Sequence, residues 1–268
     1  MIKKLWTIGV AAALVVGAVA TSALAAPTID YTEIPLTQAE LDDNWVVDRA
    51  VPSGGYESVT FEGRDDVLEM RVDPDNRSTE SDSGFFFTEG LLRQTPGAAA
   101  LRADLYVDPA WVGQDIRAGL WGVGHDELGE RTAFPIIEYH QDTTSGDAGW
   151  RIFDSSVGDW VPHAGTAGHG DWATLEVVLD AESDEFILSV NGVAETLTGL
   201  GSTTLGEVIF NMFNYGPGTP AYDVHFSNFA TGEVVPTPGA KDDCKKGGYA
   251  DFGFTNQGLC VASVLSNS

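Results

Sequence analysis

The residues best suited to chemistry lie in one short segment, Phe134–Asp142, which reads FPIIEYHQD. An extended chain turns successive side chains to opposite faces. Glu138, His140 and Asp142 therefore share one face, and Ile137 and Tyr139 share the other. Two carboxylates beside an imidazole are groups that general acid–base catalysis uses. Retaining glycoside hydrolysis wants its carboxyl groups about 5–5.5 Å apart. Cα atoms four residues apart on a strand are ~13 Å apart, so Glu138 and Asp142 would have to lean together. Arg117 and Trp121, on one face of Ile116–Val123, and Arg151 add a cation–aromatic set. A tryptophan ring can carry the apolar face of a sugar while polar neighbours take its hydroxyls. If Arg117, Trp121, Glu138, His140 and Arg151 project from one sheet face, that face is a saccharide-binding surface. A cation beside a base is also what an elimination through an enolate-like state needs.

Strands must position these residues, and the sequence supplies them. Apolar alternation marks Ser58–Phe61, Val67–Val72, Gly84–Thr88, Leu101–Val107, Ile116–Val123, Phe134–His140 and Trp150–Asp154. It continues at Trp172–Leu179, Phe186–Val190, Val193–Leu197, Val208–Phe213 and Tyr222–Phe229. The spacing, about every 10 to 15 residues with turn residues between, predicts a sandwich or barrel. Asn191-Gly192 supplies the two positive-φ positions of a type I′ hairpin between two alternating strands. Ala173, Leu175, Val177 and Leu179 form one apolar face, as do Phe186, Leu188 and Val190. Beyond the N-terminal segment, the only helical turn expected is Thr37–Asp43.

Around this body the chain carries an address and a tail. Lys3 and Lys4, the apolar run Ile8–Ala20 and Ala23-Leu24-Ala25 follow the plan of a secretory signal peptide, residues 1–25. The apolar run is shorter than the ~20 residues that span a bilayer, and no later segment is apolar enough, so no span is expected in the mature chain. Cys244 and Cys260 are the only cysteines. An oxidising compartment would join them. The domain plan is a β body over 27–232, a Pro-containing linker over 233–240 and a Cys-bounded tail over 241–268. The 268 residues include 40 acidic against 14 basic ones, for a net charge of −26. From Leu5 to Ala240 there is no Lys at all. Such a surface excludes nucleic acid as a partner, because binding a polyphosphate needs Lys and Arg.

The run GDWATLEVVLDAESDEFILSVNGV, Gly170–Val193, resembles the concanavalin A-like lectin/glucanase superfamily, whose members include laminin-G-like jelly rolls. The opening stretch Trp45–Val72 and the closing AYDVHFSNF, Ala221–Phe229, resemble the same group. The resemblance implies an all-β, two-sheet antiparallel jelly-roll sandwich. It also implies polysaccharides or cell-surface glycans as partners. Glycosidases of this superfamily carry a Glu-x-Asp-x-(x)-Glu strand, where this chain has Glu138-x-His140-x-Asp142. Polysaccharide lyases on the fold use Arg against a uronate carboxylate, with His and Tyr moving protons. Members of the superfamily often hold calcium, and Asp73 and Asp75, with Asn76, Glu80 and Asp82, crowd one loop that could supply a structural ion. The tail resembles a Cys-bounded ending found on various secreted bacterial proteins, consistent with a sorting tag or with a disulfide-closed end. Three functional readings follow: a secreted, non-catalytic glycan- or surface-binding module; a hydrolase or lyase acting from the concave face; or a structural adhesin without a small ligand.

Overall fold

A computed structural model describes residues 27–77, 87–215, 218–236, 238, 240–250 and 252–266. The signal-peptide expectation for residues 1–25 lies outside them. In chain order the first elements are β1 (Ile29–Glu33), α1 (Gln38–Asn44), β2 (Trp45–Val47), β3 (Tyr56–Phe61), β4 (Arg64–Val72), β5 (Thr88–Gln94) and β6 (Ala100–Tyr106). Next come β7 (Ile116–His125), β8 (Arg131–Ala133), β9 (Ile136–Gln141), β10 (Ala148–Asp154) and β11 (Asp159–Pro162). The remainder is β12 (Trp172–Asp180), β13 (Glu185–Val190), β14 (Val193–Thr198), β15 (Thr204–Phe213), β16 (Tyr222–Val234) and α2 (Gln257–Ser266).

The strands form two antiparallel sheets, β14-β13-β12-β6-β16-β4-β3 with β1 beside β16, and β11-β10-β9-β7-β15-β5-β2 with β8 beside β7. Alternation decides the facing. Leu175, Val177, Leu188, Leu105 and Phe226 of the first sheet meet Ile116, Leu120, Ile137, Val208 and Phe210 of the second in one core. Phe210 and Phe226 stack between the sheets with ring centroids 4.1 Å apart. The β13–β14 hairpin closes on Asn191 and Gly192 at φ 50° and 78°, the expected I′ signature.

Several elements differ from expectation. The strand expected at Gly84–Thr88 falls largely on residues outside those described, and pairing runs instead over Thr88–Gln94. Leu91 and Leu92 are buried on opposite faces there, so this strand has no apolar–polar alternation to read. The tail contains a helix, α2, which its composition did not suggest. Asn256 caps it, its side-chain oxygen accepting from the Leu259 N–H at 3.0 Å. The Cys244–Cys260 disulfide ties α2 to the turn over 245–250. Strand β16 continues beyond Phe229 to Val234 because β1 pairs along its far half. Among the described residues no helix is long and apolar enough to cross a membrane.

Candidate functional site

The outward face of the second sheet brings together most of the singled-out residues. Read across the strands, one line runs Gly90, Asn211, Gly119, Glu138 and Arg151, from β5 through β15, β7 and β9 to β10. The line on one side holds Arg117, His140 and Gly149. The line on the other holds Leu92, Ile209, Trp121, Ile136, Phe153 and Trp160. Strand parity alone produces this grouping.

Glu138 is completely buried. Arg151 clamps one of its oxygens through two N–H groups, Nε at 2.9 Å and Nη2 closer still. Burial pushes the Glu138 carboxyl above the usual range, opposed by the charges of Arg151 and Arg117 and by the Asn211 amide facing it across Gly119. Gly119 has no space for a side chain: a Cβ there would stand 2.3 Å from the Ile137 carbonyl oxygen. His140 is half-buried, with Nδ1 placed 3.1 Å from the Gly149 carbonyl oxygen. Burial, then the nearby Arg151 charge, holds its pKa below the ordinary histidine value, so the ring is neutral at pH 7.

Asp142 does not join them. It lies past the end of β9, partly exposed, accepting the Thr144 and Ser145 N–H groups in the turn to β10. Those N–H groups keep its carboxyl below the usual range. The pair Glu138 and Asp142 is thus one buried, arginine-clamped carboxylate and one turn cap.

Trp121 projects from the expected face, but it is only 6% exposed. The Arg49 guanidinium covers it, 4.4 Å from the ring centroid. The accessible aromatic rings are Trp160 and Tyr215, whereas Phe213 is as buried as Trp121. Trp160, on β11, sits under Arg151 at 4.0 Å. Phe213 and Tyr215 flank Arg117 at 5.0 and 5.2 Å. The sequence reading missed Trp160, Asn211, Phe213 and Tyr215. Parity in Val208–Phe213 could have found Asn211 and Phe213, which share a face opposite Val208, Phe210 and Met212; Tyr215 and the short β11 carry no such signal.

Arg117 is set apart by its charge environment. The other arginines of the body, Arg77 aside, are ion-paired: Arg49 with Asp48, Arg64 with Asp104, Arg71 with Glu57 and Glu69, Arg93 with Glu40, Arg102 with Glu33, Arg131 with Glu207 and Arg151 with Glu138. Arg117 has no carboxylate within ion-pairing distance among the described residues and is half-buried against aromatic rings. Beside it, His140, Gly149, Arg151 and Trp160 open onto a cleft of about 530 Å³ that reaches His163 and Thr166.

Of the suggested calcium loop, Asp73, Asp75 and Asn76 lie among the described residues. Asp73 caps the short turn Pro74–Asn76, accepting the Asp75 N–H at 3.0 Å. Glu80 and Asp82 lie outside the described residues. Among the described residues no group of three or more His, Cys, Asp or Glu is placed to hold a metal ion.

No family model matches the sequence, and no curated protein matches it. Solved structures do share the fold. A GlcNAcα1-4Gal-releasing endo-β-galactosidase from Clostridium perfringens aligns over 79% of this chain and 64% of its own, at 9% identity and a TM-score of 0.56. A sialidase aligns over 80% of this chain at 15% identity and a TM-score of 0.48, but the match spans only 19% of its length. A glycoside hydrolase family 16 endo-glucanase from Bacteroides ovatus aligns over 70% of this chain and 94% of its own, at 10% identity and a TM-score of 0.47. The chain thus spans about a fifth of the sialidase and under two thirds of the endo-β-galactosidase. The fold is a two-sheet antiparallel jelly-roll sandwich, shared with the endo-β-galactosidase structure.

Proposed function

We propose that this jelly roll is a secreted module that binds an anionic glycan on the outward face of its second sheet without cleaving it. The carrying observation is Arg117, a cation with no carboxylate partner among the described residues, held against Phe213 and Tyr215 beside a neutral His140. In a chain of net charge −26 a guanidinium with no carboxylate partner among the described residues favours one kind of guest, an anion with an apolar side. A uronic-acid residue has both: a carboxylate for Arg117 and a pyranose face for an aromatic ring. The Glu138–Asp142 geometry supports binding over hydrolysis, since neither carboxylate is free for a nucleophile or acid role. The apolar N-terminal run with its small-residue cut, and the disulfide, support export.

A second reading, a β-eliminating lyase, is favoured by one observation. The neutral His140 stands next to Arg117, and the Tyr215 ring lies 5.2 Å from the same guanidinium. That set could neutralise a uronate carboxylate and move a proton. One experiment separates the readings. The purified chain is titrated with galacturonan, alginate and a neutral β-glucan, and the same mixtures are followed for ultraviolet absorbance of an unsaturated product. Binding to the uronates with flat absorbance supports the module. Rising absorbance replaces it with the lyase, and binding to the neutral glucan alone overturns the anionic reading.

A further inference from the structure

The two halves of the outward face are unequal. On the β5–β15 side every singled-out position is closed: Thr88, Leu92, Ile209, Asn211 and Phe213 are buried. A strap over residues 48–53 runs along this side. It follows β2 and is pinned along β5. The Asp48 N–H donates to the Gly90 carbonyl at 3.0 Å, and the Gly90 N–H donates to the Ala50 carbonyl at 3.1 Å. The Ser53 N–H and hydroxyl both donate to the buried Glu89, at 2.8 and 2.7 Å. Between these anchors Arg49 takes a left-handed backbone, φ 58°, which turns its side chain inward. Its guanidinium reaches two strands in from β5, paired with Asp48 at 2.5 Å and seated over Trp121 at 4.4 Å. On the β9–β11 side the face remains open as the cleft lined by His140, Arg151 and Trp160.

We infer that the strap makes the binding face one-ended, so that the protein recognises the end of an anionic glycan chain and not its interior. This inference rests on the glycan reading of the same face. A polysaccharide lying across the whole sheet would have to run through the Arg49–Asp48 pair. One entering from β11 meets Arg151, then Arg117, and stops at the strap. The open span from β9 to β11 is two strand spacings, ~10 Å, with the half-buried Arg117 of β7 at its inner end, enough for a short terminal segment.

The test is stoichiometry. The full chain is titrated calorimetrically with galacturonan and alginate fractions of defined length, from the disaccharide to long polymer. The inference predicts one protein bound per glycan chain at every length, with affinity per chain levelling off among the short oligomers. Many proteins per long chain would overturn the one-ended site while leaving the glycan reading in place. No binding at any length would overturn the glycan reading itself. Arg49→Gly keeps the left-handed backbone and removes the stop. It is expected to raise the number of proteins bound per long chain severalfold, and an unchanged value of one would show that the strap is not what ends the groove.

Discussion

At the scale of residues, the face is organised by which charges are already spent. Arg151 is committed to Glu138, whose carboxylate is fully buried while the arginine is partly buried at the cleft. Breaking a buried pair leaves a desolvated charge behind, so Glu138→Ala is expected to cost about 3–5 kcal/mol in chemical denaturation. Glu138→Gln keeps an acceptor for Arg151 and should cost clearly less; equal losses would contradict the clamp. His140 gives the pH dependence. Its folded pKa is held below the unfolded value of about 6.5. The unfolded chain therefore takes up that proton first, and the contribution of His140 to stability is lost as pH falls below about 6.5. Binding moves the other way. Once protonated, His140 adds a cation beside Arg117, so affinity for a uronate oligomer should rise as pH falls from 7 towards 5. In His140→Gln that rise should vanish in calorimetric titrations, and its persistence would place the titrating group elsewhere. Parity made the grouping of Arg117, Glu138, His140 and Arg151 legible in the sequence. The burial of Trp121 was not legible, because the side chain that covers it, Arg49, comes from a segment remote in the chain and carries no pattern of its own.

At the scale of elements, the two sheets are joined by large side chains whose parity is fixed strand by strand. Phe226 is fully buried and stacked on Phe210 across the interface. Phe226→Ala should lower stability by about 3–5 kcal/mol without altering the β signature in circular dichroism, and a loss under 1 kcal/mol would show that the interface refills. Strands with one wet face, such as β12 and β13, were readable because apolar and polar residues alternate in them. Strand β5 was not, since it is buried on both faces. The short strands β2, β8 and β11 hold their places by backbone pairing, which leaves little mark on composition. Helix α2 is short and apolar on several sides, so it lacks a clear helical stripe, and its N-cap Asn256 reads in isolation as a turn residue.

At the scale of the molecule, charge and covalent closure divide the chain. The acidic residues lie almost entirely in the body, whereas every Lys after Lys4 lies in the tail. Both cysteines are buried, and α2 packs on the 245–250 turn. Replacing Cys244 and Cys260 with Ser should therefore remove about 3 kcal/mol from the tail alone on the chain-entropy account. The helical signal of α2 should disappear while the main melting transition of the sandwich stays in place. A large shift of that transition would mean the tail supports the body. The acid-rich body, with no Lys from Leu5 to Ala240, also explains why an arginine without a carboxylate partner among the described residues stands out as the proposed binding feature. The most direct measurement of that claim is calorimetric titration of the wild type and Arg117→Ala with the same galacturonan oligomer. The account predicts binding by the wild type, at least a tenfold loss in Arg117→Ala and a melting temperature unchanged between them; equal affinity of the two proteins would contradict it.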